Sequence, residues 1–397
     1  MDIVIVAQYI LDITTMDCLN SRFVYLANML KEKHSVEIVT SDFIHSRKEN
    51  VEPVTEFSGI NITMLHEPGY KRNISVSRFI SHAKLAKRIA NYLKHRKTPD
   101  IVYCAIPSLD VAYAVAKYCK KNNIKFIIDI QDLWPEAFKM VFKVPIVSDI
   151  IFTPLNFKAN RVYKWADEIV AVSDTYVERA LNVNKKCESG ISVFLGTDLD
   201  NYDNYKKGTP LFEKKENEVW IGYCGSLSTS YDIPNVIYAL KKLNEKGITN
   251  FKLIIMGDGA YRSNFECVAN MSKVDVVFCG FLPYEKMCAQ LNLCDIVVNP
   301  IKSNSAASII NKHADYAASG LPVVNTQDSF EYRKLVDEYR MGFNCNNEDP
   351  NDMATKLEQL ILNENLRSKM GYNARKCAEE KFDRKNSYKK IVELIEK

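Results

Sequence analysis

The chain has 397 residues, 47% of them hydrophobic and 26% charged, with a formal net charge of +4. That is an ordinary globular composition for two to three domains; with only 14 Gly and 13 Pro it excludes collagen, coiled coil and disorder, and the charge is too mild to imply nucleic acid. The 11 Cys, an odd number without a C-x-x-C, exclude zinc ribbons and disulfide scaffolds and read as small buried hydrophobes in a reducing compartment.

The first run, Met1-Asp2-Ile3-Val4-Ile5-Val6, lacks a basic flank and reads as a strand, not a signal peptide. Further strands are predicted at Val36–Thr40, Asn61–Leu65, Ile101–Cys104, Phe126–Ile130, Glu168–Val172 and Ser192–Leu195. A second set covers Trp220–Cys224, Lys252–Met256, Val274–Phe278, Ile296–Asn299, Val323–Asn325 and Gly342–Cys345. Helical patterns such as Phe23–Lys33, Ala112–Lys121 and Val236–Leu243 lie between them, and this alternation predicts parallel sheets built from βαβ units. The strands are too many for one open sheet. The predicted fold is therefore α/β, with two doubly wound, Rossmann-like domains and a ligand in the cleft between them. The polar stretch 201–217 reads as the linker between domains 1–200 and 218–380, and 381–397 as a C-terminal helix returning toward the first domain. No run reaches the 18 or so apolar residues of a spanning helix; the nearest, Val141–Phe157, carries Lys143 and Asp149. The expectation is a cytoplasmic protein that lies peripherally on the inner face of the cell membrane.

Two segments carry chemistry. An apolar strand ends in Met256-Gly257-Asp258-Gly259 before a helix, which lets a ligand approach the backbone; Arg262 stands where a dinucleotide fingerprint needs its third glycine. A strand ending at Asn299 then feeds the Ser-rich loop Ser303–Ser308 and a helix starting near Ile309 or Ile310 and stopping at Gly320. Free backbone N–H groups at that helix start favour an anion. Lys312 and Asp315, three apart, share a helix face; a cation beside a carboxylate suits a nucleotide diphosphate and its ribose.

The second half resembles the donor domain of family 4 glycosyltransferases, retaining enzymes of the two-Rossmann GT-B fold. The pieces that carry the likeness are Ile221–Leu227, Ile255–Gly259, Phe278–Pro283, Cys294–Pro300 and Asn311–Val323. Asn20–Phe23, Thr40–His45 and Asp129–Glu136 resemble elements of bacterial surface-polysaccharide members. The resemblance implies donor contacts at Gly225, Ser226, Gly257, Asp258, Gly259, Gly280, Phe281, Leu282, Ser305, Ser308, Ile309, Lys312 and Asp315. It implies acceptor contacts at Ser21, Arg22, His45, Gln131, Trp134 and Glu136, with Asp132 and Lys312 as catalytic groups. The family's paired acids fall on Ala307 and Asp315, its two diphosphate cations on Ser226 and Tyr231, and its first-domain histidine on Gln131. Lys312 then stands in for the missing cations, and transfer needs no metal or other cofactor; Asp198-Leu199-Asp200 is read as a linker start, not a metal site.

Between Glu67 and Asp100 the chain has no acid but carries Lys71, Arg72, Arg78, Lys84, Lys87, Arg88, Lys94, Arg96 and Lys97. Apolar residues from Val76 to Leu93 at helical spacing make this an amphipathic helix. Its cationic face, with Arg78, Lys84, Lys87 and Arg88, is expected to meet an anionic membrane surface. A second element, Phe138 to Phe157, is apolar with interspersed Lys, and reads as buried helix or membrane contact. The expected activity is transfer of a hexose from a nucleotide sugar, UDP-sugar favoured, to a lipid-linked glycan acceptor in capsule or O-antigen synthesis. The alternatives are a nucleotide-sugar epimerase of the same fold and a non-catalytic nucleotide-sugar-binding partner subunit.

Overall fold

A computed structural model describes residues 1–73, 75–136, 145–303, 305 and 309–397, the stretches 16–17 and 145–151 as backbone only. The chain divides into two compact units: Met1–Val193 with Tyr388–Lys397, and Phe194–Ser387.

Unit 1 is built on β1 (Asp2–Val6), β2 (Ser35–Ser41), a short antiparallel hairpin β3 (Phe43–Ile44) and β4 (Glu49–Asn50), then β5 (Glu56–Phe57), β6 (Ile60–Leu65), β7 (Ile101–Ile106), β8 (Lys125–Ile130), β9 (Glu168–Ala171) and β10 (Ile191–Ser192). Its main sheet runs β10-β9-β8-β7-β1-β2-β6-β5, parallel except for β5 against β6. β1 and β7 are nearly continuous apolar runs, and β2 and β8 are buried along most of their length with polar residues among them, as in a sheet covered on both faces. Unit 2 carries β11 (Val219–Cys224), β12 (Phe251–Met256), β13 (Val276–Gly280), β14 (Ile296–Asn299), β15 (Val323–Asn325) and β16 (Gly342–Asn344), all parallel, in the order β13-β12-β11-β14-β15-β16. Within this unit that order is 3-2-1-4-5-6, the doubly wound arrangement, and its direction reverses between β11 and β14. In unit 1 the same reversal falls between β1 and β7.

The boundary lies where composition does not put it. Residues 201–217 are not a free linker: Asp198 caps the helix Leu199–Tyr205, its Oδ1 accepting the Asn201 N–H at 3.0 Å, and Leu199 and Tyr202 are buried in the core of unit 2. Two apolar side chains three residues apart dock a helix that its polar neighbours disguise. Asp200, the other acid of the D-x-D, pairs with Lys385 at 2.9 Å. At the far end, Phe382 is fully buried in unit 2, and only Tyr388–Lys397 belongs to unit 1, where Tyr388, Ile391 and Ile395 join the core of β1, β2 and β7. Beneath it lies a buried ion pair: Arg22 Nε donates to Asp129 Oδ2 at 2.7 Å, Tyr103 OH donates to the same oxygen at 2.7 Å, and the guanidinium sits 4.9 Å from the Tyr388 ring centroid.

Candidate functional site

In doubly wound sheets ligands bind beyond the carboxyl ends of the strands at the point of reversal. Unit 2 has a pocket of about 510 Å³ at that place, lined from four strand ends: Cys224, Gly225 and Ser226 after β11, Met256, Gly257 and Asp258 after β12, Phe281 and Leu282 after β13, and Ile310, Asn311, Lys312 and Asp315 after β14, with Tyr231 and Met287. Glycine is required at its floor. A Cβ on Gly257 would lie 1.8 Å from the Gly225 carbonyl oxygen, and one on Gly225 (φ +143°) 2.9 Å from Lys312 Nζ.

The helix Asn311–Ala318 starts one to two residues later than the spacing suggests, because His313 reaches back and its Nδ1 accepts the Ile310 N–H at 3.1 Å. Gly320, at φ +68°, follows its C-terminal end. The first turn lays Lys312 across two tyrosines, its Nζ 3.9 Å from the Tyr231 ring centroid and 4.4 Å from that of Tyr223. That nitrogen is out of contact with water and has no hydrogen-bond partner among the described residues. Burial pulls its pKa down to about 7, the neighbouring Cys224 thiol opposing the shift. Tyr231 stands where the resembled family has a cation; here its ring face cradles one. Asp315 accepts from Tyr284 OH at 2.7 Å, and Tyr284 OH is 2.8 Å from Thr197 Oγ1. Burial raises the Asp315 carboxyl to about 6 against the Tyr284 hydrogen bond.

The pocket thus gathers Gly225, Ser226, Gly257, Asp258, Phe281, Leu282, Lys312 and Asp315. Gly259 and Gly280 serve backbone packing: a Cβ on Gly259 would meet the Leu227 oxygen at 2.4 Å, and Gly280 turns at φ +74°. Ser305 is half-buried in the loop after β14 and does not line the pocket. Ile309 corrects an expectation: its side chain is 2% exposed in the core, and Ile310 and Asn311 line the pocket instead. Ser308 and Ala307 lie outside the described residues, as do Phe138, Met140 and Phe142.

Unit 1 gathers a second constellation at the carboxyl ends of its strands. Tyr9 follows β1; His45 and Lys48 sit on the β3–β4 turn; Tyr70 follows β6; Trp134 follows β8; and the helix Val76–His95 supplies Arg78 and His82. Tyr9 OH lies 2.9 Å from His82 Nε2 and accepts from Arg78 Nη2 at 3.0 Å. His82 stacks on Trp134 at 5.9 Å, and the Arg78 guanidinium lies 4.6 Å from the Trp134 ring. Burial, with Lys48 and Arg78 nearby, pulls His45 down to about 4, and burial and Arg78 pull His82 to about 3. Asp132 accepts from Trp134 Nε1 at 3.1 Å, and burial raises its carboxyl.

Several expected acceptor contacts are turned to structural work. Arg22 is corrected most clearly, since its guanidinium is 4% exposed inside the Asp129 pair. Gln131 Nε2 donates to Asp129 Oδ1 at 2.6 Å, Glu136 accepts from Arg179 at 2.6 Å, and Ser21 is a buried N-cap residue. Arg78 is corrected as a membrane contact, being 8% exposed and turned into the aromatic cluster. Lys84, Lys87 and Arg88 do face outward, along a surface groove of about 700 Å³ with Leu65, Asn91, Tyr92 and His95. Tyr9, Tyr70 and Lys48 carried no motif; the signal for them is their position three to five residues past a strand end, and for His82 its place on the buried stripe of the helix Val76–His95.

Residues 210–377 match the family model described as Glycosyl transferases group 1. An uncharacterized glycosyltransferase of Methanocaldococcus jannaschii is 25% identical over 243 residues, 59% of this chain; the chain spans 60% of that relative's length. The capsular polysaccharide biosynthesis glycosyltransferase CapM of Staphylococcus aureus is 24% identical over 327 residues, 79% of each chain. Among solved structures, HepE of Anabaena, in complex with UDP, superposes over 100% of both chains with a TM-score of 0.72 at 15% identity. At that identity the likeness speaks to the fold, which is GT-B with two Rossmann-like domains. Among the described residues no group of three or more His, Cys, Asp or Glu is arranged to hold a metal ion, and no helix is long and apolar enough to cross a membrane.

Proposed function

We propose that the chain is a retaining glycosyltransferase that moves a hexose from a nucleotide-diphosphate sugar, a UDP-sugar by preference, to a membrane-associated, polyprenyl-diphosphate-linked glycan acceptor in surface-polysaccharide biosynthesis. One observation carries the reading: the unpartnered ammonium of Lys312, held over Tyr223 and Tyr231 at the reversal point of unit 2, beside Asp315. A buried cation without an acid partner is costly unless a ligand brings the anion. In this reaction the bond between the sugar and the diphosphate breaks and charge grows on the leaving oxygen. Lys312 meets that charge, with no metal ion required, and Asp315 accepts from the ribose hydroxyls. Asp132, past the end of β8, contacts the accepting hydroxyl. HepE was solved with UDP and CapM is described as a capsular polysaccharide enzyme, which favours a uridine nucleotide and a polysaccharide acceptor.

The membrane contact is assigned to the outer face of the helix Val76–His95. Lys84, Lys87 and Arg88 are exposed there, and Val76 and Ile80 are 75% and 51% exposed beside them, an apolar and cationic surface suited to anionic lipid. The deciding experiment is transfer of radiolabelled sugar from UDP-glucose and other nucleotide sugars to a polyprenyl-diphosphate-linked acceptor. Nucleotide-sugar binding without turnover would make the chain a non-catalytic partner. Interconversion of the free nucleotide sugar would make it an epimerase.

A further inference from the structure

The aromatic cluster of unit 1 holds more positive charge than its own acids answer. Arg78 is 8% exposed; its Nη1 donates to the Asn73 carbonyl at 2.8 Å and its Nη2 to Tyr9 OH at 3.0 Å, while its Nε is buried without a partner among the described residues. Its guanidinium is walled by Trp134, Tyr70 and Tyr9, with centroids at 4.6, 5.4 and 5.8 Å. Lys48 reaches the same cluster from the β3–β4 turn, where it adopts φ +60°, a left-handed conformation that a lysine takes only at a cost. Its Nζ donates to His45 Nδ1 at 3.0 Å and lies 4.9 Å from the Tyr70 ring. Tyr70 OH lies 2.6 Å from that same nitrogen, so the lysine and the phenol crowd one ring atom.

The acids nearby are engaged elsewhere. Glu67, 1% exposed, accepts from Gln8 at 3.0 Å, Ser41 at 2.7 Å and Ser81 at 2.8 Å, and lies 4.0 Å from His82 Nε2. Asp42 takes His66 and Asn50, and Asp132 takes Trp134. Among the described residues no carboxylate accepts from Arg78 or Lys48. Two cations, one with a buried N–H that has no partner among the described residues and one beside a ring nitrogen that Tyr70 also approaches, stand at the ligand-binding end of a doubly wound sheet among aromatic faces.

We propose that Arg78 and Lys48, with His45, form an anion subsite in unit 1 that binds the phosphate group attached to the accepting sugar. This rests on the transferase reading above and names the part of the acceptor that unit 1 recognises. An acceptor phosphate takes the free Arg78 N–H and a Lys48 proton; Lys48 then releases His45 Nδ1, and the imidazole becomes free to protonate beside the new anion. The groups facing His45 in this exchange are Lys48 and Arg78 as cations, Tyr70 and Tyr9 as neutral phenols, and the buried His82 imidazole.

The probe is inorganic diphosphate, titrated into the full chain carrying Lys312→Met so that the unit 2 pocket does not report. The His45 ring resonances, assigned by their loss in His45→Gln, are followed by NMR. The expected result is a saturable shift with the His45 pKa moving up from about 4, and at least about a tenfold loss of affinity in Arg78→Met and in the turn variant Lys48→Met. Phosphatidylglycerol vesicles are the second arm. A His45 response to vesicles but not to diphosphate, no response to either, or undiminished diphosphate affinity in Lys48→Met overturns the proposal. In turnover, Lys48→Met should raise KM about tenfold for a diphosphate-linked acceptor at constant kcat and leave KM for an uncharged alkyl glycoside unchanged. If the wild-type chain glycosylates nothing, the transferase reading falls and the diphosphate titration still decides the subsite.

Discussion

Lys312 carries its charge where water does not reach it, and that makes it both the tool and the weak point of unit 2. Its pKa falls from an ordinary 10.5 to about 7 on folding, so between those values the unfolded chain holds the extra proton and stability rises with pH. Below pH 7 the full penalty of the buried ammonium is present. Lys312→Met should therefore raise the ligand-free melting temperature at and below pH 7, with the gain vanishing near pH 10.5 in thermal melts across pH. The same variant should lose nucleoside diphosphate affinity by about 1.5–3 kcal/mol, the range for a charge-assisted hydrogen bond, as read by calorimetry. Wild-type affinity should fall as pH rises above about 7, by about tenfold per unit, because the diphosphate needs the protonated amine. Asp315→Asn keeps an acceptor for Tyr284 OH, so the fold should persist while nucleotide affinity drops; an unchanged affinity would remove Asp315 from the ribose.

At the scale of the element, the helix Val76–His95 presents two faces that charge alone confuses. Lys84→Glu, Lys87→Glu and Arg88→Glu together should abolish co-sedimentation with anionic vesicles and leave nucleotide binding intact; equal sedimentation with neutral vesicles would refute the lipid face. Arg78 does not belong to that set. Its place was legible in the spacing: residues 78, 82, 85, 89 and 93 form one helical stripe, and its members His82, Leu85, Ile89 and Leu93 are all buried. Reading Arg78 as surface followed residue type over period; Val76 and Ile80, apolar but off that stripe, are exposed. The strands were easier, since Ile3 to Val6 or Ile101 to Ile106 are apolar throughout and are buried, and the ends of the second set fixed where Gly225, Gly257 and Lys312 converge. What sequence could not supply was the partner of each polar group. Nothing in the spacing of Arg22 and Asp129, 107 residues apart, announces that they neutralise one another.

At the scale of the molecule, the same doubly wound order is used twice, and each copy places its constellation at its own strand ends. The copies differ in how they are closed. Unit 2 is one continuous stretch, Phe194–Ser387, whereas unit 1 is completed by Tyr388–Lys397. Tyr388, Ile391 and Ile395 are at most 1% exposed, and burying such side chains contributes roughly 1.5–3 kcal/mol each. Deleting 388–397 also uncovers the Tyr388 side of the Arg22 guanidinium. The deletion should lower the unfolding temperature of unit 1, followed by hydrogen exchange at β1 and β7, and leave nucleotide binding in unit 2 near wild type. Simultaneous loss of both would mean that unit 2 does not stand without an intact unit 1.

Unit 1's divided chain also sets an order of assembly during synthesis. Domains commonly fold as they emerge, the N-terminal one first. Here residues 1–193 leave the ribosome without the three side chains that seal their core, and these arrive only after residues 194–387. Unit 2 is the first to have its whole sequence available, so a nascent chain is able to close its Lys312 pocket before unit 1 is finished.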